Sequence, residues 1–312
     1  LQNPEKPLFK FSNPKLNLTL AFQFFATMIS EKQFQKELDI IIQNGIREDI
    51  GPGDYSSLAC IPETATGKAK LLVKDQGIIA GVAFAKMIFE NVDPTLEVIT
   101  FIEDGERVKH GDVVFHVSGS SQSILKAERL VLNSMQRMSA IATKTNQYVQ
   151  LLEGTTTKIL DTRKTTPGFR ACEKWAVKIG GGENHRFALY DMIMLKDNHN
   201  DFAGGITAAI NKTKAYLEFN KLDLKVIVEA RNLDEITEIL QSEGVYRILI
   251  DNFNFEDTKK AVALIGGLCL TESSGNINEK TIRQYAECGV DCISSGALTH
   301  SVYNMDLSLK AI

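Results

Sequence analysis

The sequence predicts an α/β protein: a small N-terminal α/β sandwich domain followed by an incomplete, open parallel β/α barrel. Three observations carry this expectation. After Gly154, short apolar runs recur, each closing on a polar or charged residue, and most are followed by a helix. The later runs close at Glu229, Asp251, Glu272 and Ser295, spaced by 22, 21 and 23 residues, about the length of one strand, one helix and two short loops. Polar ends contributed by many successive strands form a ring on one barrel mouth, which favours a barrel over a doubly wound sheet. Six such runs are visible, ending at Asp161, Lys196, Glu229, Asp251, Glu272 and Ser295, so the barrel is expected to be open.

The elements follow in order. Phe34, Leu38, Ile41 and Ile42 recur at helical period over residues 31–45, and Gly45 stands where a C-cap would sit. Beyond the turn-rich GPGDYSS, four β-prone runs at 68–73, 78–82, 96–102 and 112–117 predict a small sheet. Residues 124–152 read as one long or broken helix, with Met135 and Met138 as core filler. In the barrel, Asn232 with Glu235 and Asn276 with Glu279 read as helix starts, and Gly244 and Gly289 as helix ends. The expected division is an extension (1–27), an N-terminal domain with its connecting helix (28–138), a barrel (139–297) and a C-terminal segment (298–312) packing back on the N-terminal domain.

Composition narrows the function classes. With 312 residues, 44% apolar and 24% charged, the chain has the make-up of an ordinary globular protein of one large or two modest domains. Its 35 basic and 39 acidic residues leave a net charge of −4, so no global positive field draws it to nucleic acid or to a membrane surface. Cys60, Cys172, Cys269, Cys288 and Cys292 are odd in number and contain no C-x-x-C pair. That disfavours a disulfide framework or zinc ribbon and points to reduced thiols in the cytoplasm. The run LNLTLAFQFFA (16–26), flanked by Lys15, has the length of a secretory h-region but is too short to span a bilayer. Met28 reads as the natural start, with residues 1–27 outside the fold.

The strand ends describe one polar cavity. DTRKTTPGFR brings Arg163 and Lys164, GGGENHR brings His185 and Arg186, and MLKDNH brings Lys196. This is more positive charge than a mono-anion requires, and it suits a polyanion. The competing reading makes Arg163 and Lys164 solvated loop charges. Arg170, Lys174 and Lys178, at i, i+4 and i+8 of a helix, read as a solvated face. His110, His116 and His199 read as structural, and His300 is left open between the two roles. Glu229 and Asp251 end consecutive strands and suit Mg²⁺ together with substrate phosphate and water; alternatively the nearby cations neutralise them. ESSGN (272–276) and SSGAL (294–298) offer backbone N–H groups that can closely approach a phosphate.

Taken together, DTRKTTPGFR, GGGENHR, LKDNH, LIDNF, ESSGNI and GALTHS resemble the quinolinate phosphoribosyltransferase family from about Glu31 onward. REDIGPGDYSS and KAERLVLNSMQRMSAIAT are similar to that family's first domain and connecting helix. The resemblance implies transfer of a phosphoribosyl group from phosphoribosyl pyrophosphate to quinolinate with loss of CO₂, using Mg²⁺. It implies substrate-binding roles for Arg129, Thr162, Arg163, Lys164, His185, Arg186 and Lys196, and catalytic roles for Lys164, Glu229 and Asp251. The phosphate loops would be Ser274, Gly275 and Asn276, and Ser295, Gly296 and Ala297, with Glu229 and Asp251 holding the metal directly or through water. It also implies a homodimer, open to higher assembly, in which Arg129 reaches the neighbouring site. Tyr55, Phe169 and residues 1–27 depart from the family pattern. Three rivals stand beside this reading: a non-decarboxylating transferase acting on a related ring acid, a barrel aldolase with Lys164 or Lys196 as Schiff-base lysine, and a non-catalytic phosphate-ligand-binding relative.

Overall fold

The structure, a computed structural model, describes residues 29–312; the apolar run at 16–26 and Met28 lie outside the described residues. The chain forms two compact units, one ending at Gln136 and regained at Asp306–Ile312, the other Arg137–Met305.

In the first unit, helix α1 (Glu31–Asp49) is capped by Ser30, whose side chain accepts the Gln33 N–H, and it buries Phe34, Leu38, Ile41 and Ile42. The expected stop at Gly45 does not occur. Leu130 packs so closely there that a Cβ would lie 2.6 Å from its Cδ1, so this glycine serves packing rather than termination. GPGDYSS is not only turn: Asp54 caps a short helix, α2 (Tyr55–Cys60). Strands β1 (Thr66–Val73), β3 (Glu97–Thr100), β5 (Val113–Ser120) and β12 (Leu307–Ala311) form an antiparallel sheet in the order β12-β1-β5-β3. The C-terminal strand thereby pairs with β1, Leu71 opposite Leu309.

The run at 78–82 is only partly a strand. After β2 (Gly77–Ile78), which pairs with β4 (Arg107–Val108), Gly81 turns the chain at φ 94° into helix α3 (Val82–Val92). Asp104 accepts the N–H groups of Val82 and Ala83 at 2.8 and 3.1 Å and so caps α3 from a distant turn. The long helix α4 (Ser121–Leu151) is continuous, with Met135 and Met138 fully buried.

The second unit is a parallel sheet of six strands: β6 (Lys158–Leu160), β7 (Ile193–Leu195), β8 (Val226–Ala230), β9 (Arg247–Asp251), β10 (Leu270–Ser274) and β11 (Cys292–Ser294). Their order is β6-β11-β10-β9-β8-β7, so hydrogen bonding does not close β7 onto β6. At that opening Glu183, beside Leu160, forms an isolated parallel bridge. Every residue of β8 is buried, as expected for a parallel strand covered on both faces. The connecting helices are α5 (Arg170–Ile179), α6 (Asp197–Ala203), α7 (Ile206–Asn220), α8 (Leu233–Leu240), α9 (Phe255–Ile265) and α10 (Ile282–Ala286), with α11 (Ala297–His300) after β11. Asn232 caps α8 through the Glu235 N–H at 2.9 Å. Burying Ile236 and Ile239 of that helix contributes about 1.5–3 kcal/mol each.

Two expectations fail here. Asn276 does not cap a helix: it is left-handed at φ 54°, α10 begins only at Ile282, and Glu279 instead pairs with Lys144. Lys174 is not solvated. Its side chain is fully buried, with Nζ 2.5 Å from Asp161 Oδ1 and 2.9 Å from the His185 carbonyl. Arg170 is half-buried and donates to Thr165 and the Phe187 carbonyl. Lys178, 3.9 Å from half-exposed Glu183, has a side chain only 17% exposed, so none of the three is a solvated cation.

Candidate active site

The C-terminal ends of the strands surround a cavity of about 810 Å³. Thr162, Arg163, Lys164, His185, Arg186 and Lys196 line one part of it, and Ser274, Gly275, Asn276, Ser295, Gly296 and Ala297 line another. Asp251 also lines it. Two expected residues do not. Arg129 is exposed on the part of α4 that belongs to the first unit. Glu229, buried at the end of β8, lies behind Lys196: its Oε2 is 3.4 Å from Lys196 Nζ, and its Oε1 accepts the Asp197 N–H at 3.3 Å.

The cationic side is held by buried polar groups outside the cavity. Asp161, at the end of β6 and fully buried, accepts Lys174 Nζ, Asn184 Nδ2 at 2.6 Å and the His185 N–H at 2.8 Å. It therefore ties the GGGENHR segment to the neighbouring strand. The buried Lys174 ammonium is lowered from its ordinary value by burial, against the pull of Asp161. A second hub anchors the DTRKTTPG loop. Glu173, fully buried, binds Arg137 at 2.9 Å and accepts the Thr166 hydroxyl at 2.7 Å, while the Thr299 hydroxyl donates to the Lys164 carbonyl at 2.7 Å.

Arg186 is buried, and its guanidinium falls from its ordinary value through burial and then through the neighbouring Arg163 charge, with Asp191 opposing. Burying the Arg186 guanidinium beside the Arg163 charge costs free energy, and an anion bound between them relieves it. Arg163 Nε is buried without a hydrogen-bond partner, leaving a donor for such an anion. Lys164 and Lys196 are exposed; neither has the desolvated setting that makes a lysine a Schiff-base nucleophile.

Elsewhere on the wall, close approach requires glycine at two places. Gly275 adopts φ 92°, and a Cβ there would lie 2.1 Å from Asn252 Oδ1. A Cβ on Gly296 would meet Lys164 Cδ at 2.7 Å and the His300 ring at 2.9 Å. Asp251 accepts the Ser274 hydroxyl at 2.6 Å and Asn252 Nδ2 at 2.7 Å. His300 also lines the cavity, whereas His199 is structural, its Nδ1 accepting the Lys196 N–H at 3.1 Å.

At the cavity wall, sequence reasoning missed the partners of His185. Arg247 Nη1 donates to Glu272 Oε2 at 2.7 Å, and the same oxygen lies 3.2 Å from His185 Nε2. Burial works against ionising Glu272, but His185, Arg247 and the Ser294 hydroxyl outweigh it and hold the carboxyl at about 2. Periodicity carried a signal for these partners. Arg247, Leu249 and Asp251 alternate onto one face of β9, and Glu272 and Ser274 share one face of β10.

An open parallel barrel whose mouth gathers paired guanidiniums and two glycine-bearing loops in one cavity defines a protein built for a phosphorylated, polyanionic ligand. The chain belongs to the quinolinate phosphoribosyltransferase family: residues 54–139 match the family's N-terminal domain model and residues 141–310 its C-terminal domain model. It is 45% identical over 289 residues to a tobacco protein (Nicotiana tabacum) named quinolinate phosphoribosyltransferase [decarboxylating] 1b, covering 88% of this chain and 82% of the relative. An Arabidopsis thaliana chloroplastic nicotinate-nucleotide pyrophosphorylase [carboxylating] is 44% identical with the same coverage. Among solved structures, NadC from Streptococcus pyogenes superimposes with a TM-score of 0.82 at 37% identity, over 92% of this chain and 99% of the other.

Proposed function

We propose that this chain transfers the phosphoribosyl group of phosphoribosyl pyrophosphate to quinolinate with loss of CO₂, giving nicotinate mononucleotide and pyrophosphate for de novo NAD biosynthesis. The observation that carries this reading is the Arg163–Arg186 pair, with Lys164 and Lys196, lining one cavity together with the Gly275 and Gly296 loops. A dicarboxylate matches the paired guanidiniums, and the co-substrate's phosphates match the loop N–H groups.

The cations position the diacid so that its ring nitrogen faces the ribosyl C1. As the C1–O bond to pyrophosphate breaks, its electron pair leaves with pyrophosphate, whose charge Lys164 stabilises, while Asp251 and Glu229 supply negative potential to the oxocarbenium-like centre. The ring nitrogen's lone pair then forms the new bond to C1, leaving a pyridinium. When the adjacent C–CO₂ bond breaks, its electron pair stays on the ring carbon beside the cationic nitrogen, and that carbon takes up a proton. Detecting the ribosylated diacid as an intermediate supports this order; CO₂ release from quinolinate without the ribosyl donor refutes it.

The donors fit Mg²⁺. Asp251 presents carboxylate oxygens at the cavity wall, held by two neutral donors, and Mg²⁺ commonly takes one or two carboxylates plus substrate phosphate. Among the described residues no group of three or more His, Cys, Asp or Glu side chains forms a cage, so Asp251, with Glu229 through water, would hold the ion jointly with substrate. When bound, it supplies neutralisation of the pyrophosphate charge.

The working unit is read as a homodimer in which exposed Arg129 enters the neighbouring copy's cavity. Mixing Arg129→Ala with Lys164→Ala chains tests this: recovery of activity supports it, and none refutes it. The setting is read as cytoplasmic, supported by five free cysteines; among the described residues no helix is long and apolar enough to cross a membrane. Relatives from Nicotiana glauca and rice are named mitochondrial and chloroplastic, so localisation of the tagged full chain decides between these compartments.

The enzymatic test supplies Mg²⁺ and phosphoribosyl pyrophosphate with quinolinate or nicotinate separately, following mononucleotide and CO₂. Equimolar CO₂ and nicotinate mononucleotide from quinolinate alone establish the reaction. Product from nicotinate without CO₂ moves the chain to the non-decarboxylating class.

A further inference from the structure

Asn252, the first residue beyond β9, is left-handed at φ 58°, and Asn276, two residues beyond β10, is left-handed at φ 54°. Among the described residues only one other non-glycine residue, Lys221, has a positive φ. Backbone strain of this kind persists where the surrounding structure requires it. Both asparagines line the cavity, and Asn276 Nδ2 donates to Asn252 Oδ1 at 3.3 Å. The other end of the Asn252 amide meets a charge, with Nδ2 donating to Asp251 Oδ2 at 2.7 Å. A carboxylate only accepts, so the amide has one sensible orientation and its Oδ1 is left for Asn276. The backbone fixes the remainder: the Asn252 N–H donates to the Ser274 carbonyl at 2.9 Å, and the Ser274 hydroxyl donates to Asp251 Oδ1 at 2.6 Å.

The residue type at 252 answers two demands at once. Glycine, asparagine and aspartate are the residues that enter the left-handed region most readily. Glycine would satisfy the backbone but leave Asp251 Oδ2 without its donor. Aspartate would set a second carboxylate against the first. Asparagine alone of the three both turns the chain and donates. Its neutrality has a consequence, because two neutral donors orient the Asp251 carboxylate and leave its charge uncompensated for a cation or a cationic ribosyl centre. Glu229, by contrast, already has Lys196 Nζ at 3.4 Å.

We propose that Asn252 is a positioning residue: its amide, set by a left-handed turn and by Asn276, orients the Asp251 carboxylate without neutralising it. This deepens the transferase reading and rests on it for the identity of the ligand, but not for the orientation of Asp251. Asn252 makes and breaks no bond in the reaction. It acts through Asp251.

The test compares Asn252→Gly with Asn252→Ala in the full chain. Alanine is strained at φ 58° and glycine is not, so Asn252→Ala should melt below Asn252→Gly. Both lose the same amide, so calorimetry with phosphoribosyl pyrophosphate and Mg²⁺ should show affinity falling equally in the two, by about tenfold or more. Quinolinate affinity should stay where it was. In an Asp251→Asn background, Asn252→Gly should change the phosphoribosyl pyrophosphate affinity by less than about twofold. A loss confined to Asn252→Ala would make Asn252 a turn residue only, and a loss that persists in the Asp251→Asn background would mean that it acts by another route; either result overturns the proposal. A crystal structure of Asn252→Gly supplies a readout that needs no ligand: Asp251 should leave its wild-type rotamer, and an unmoved Asp251 refutes the proposal. A wild type that binds no phosphoribosyl pyrophosphate overturns the proposed reaction, while the Asp251 rotamer still decides the role of Asn252.

Discussion

Lys174→Met removes an ammonium whose side chain, like that of its partner Asp161, has no solvent exposure. Methionine has nearly the same volume, so the change is electrostatic rather than a cavity. Asp161 would keep Asn184 Nδ2 and the His185 N–H but lose its charged partner at 2.5 Å, and the His185 carbonyl would lose its donor at 2.9 Å. Removing one member of a buried pair costs about 3–5 kcal/mol; with two neutral donors remaining, the lower end, about 3 kcal/mol, is expected. A solvated lysine would cost no more than about 0.5 kcal/mol. Urea unfolding reports the second unit through Trp175, the sole tryptophan, which is 2% exposed in α5 beside Lys174. Lys178→Met, one turn along the same helix, is the control for a partly exposed lysine without a fully buried partner, and its cost should be well below that of Lys174→Met. Adding Asp161→Asn to Lys174→Met should recover part of the loss, because no buried charge is then unpaired. A Lys174→Met shift no larger than that of Lys178→Met would refute the reasoning.

Three further outcomes are expected. Glu272 is depressed from 4.5 to about 2, so its contribution, about 3 kcal/mol, is complete above 4.5 and lost as pH falls toward 2; urea midpoints across that window should fall more steeply in the wild type than in Glu272→Gln. Gly275→Ala forces a side chain into φ 92° and against Asn252, costing about 1–2 kcal/mol from the backbone alone; steady-state kinetics should show KM for phosphoribosyl pyrophosphate rising more than KM for quinolinate. Arg186→Lys keeps the charge but loses the planar fork, so quinolinate affinity measured by calorimetry should fall by about tenfold or more, and an unchanged affinity would remove Arg186 from the diacid site.

Much of the barrel is legible from local chemistry. Strand ends at Glu229 and Asp251 and the Asn232 cap depend on residues within one turn of each other, and the structure places them where spacing predicts. The site residues were legible as residue types at strand ends: the cations at 163, 164, 186 and 196 and the small residues at 274–276 and 295–297 meet in one cavity. Helix α3 escaped because its start needs Gly81 at positive φ and a cap from Asp104, 22 residues away. Gly45 misled because a glycine that admits Leu130 looks, in sequence, like one that ends a helix.

Lys174 and Lys178 both overturn the local reading. They lie four residues apart on one helix, and local patterning assigned them the same solvated stripe. Packing separates them by degree, because α5 turns Lys174 onto fully buried Asp161 at the end of β6 while Lys178, 17% exposed, reaches half-exposed Glu183. The row Arg247–Glu272–His185 is of the same kind, drawing its three members from two strands and a loop. Residue type, period and strand-end position are written along the chain, since they depend on backbone geometry over a few residues. Whether a given charge is desolvated, and which opposite charge it meets, depends on elements brought together from distant sequence, because burial and ion pairing are properties of packed neighbours.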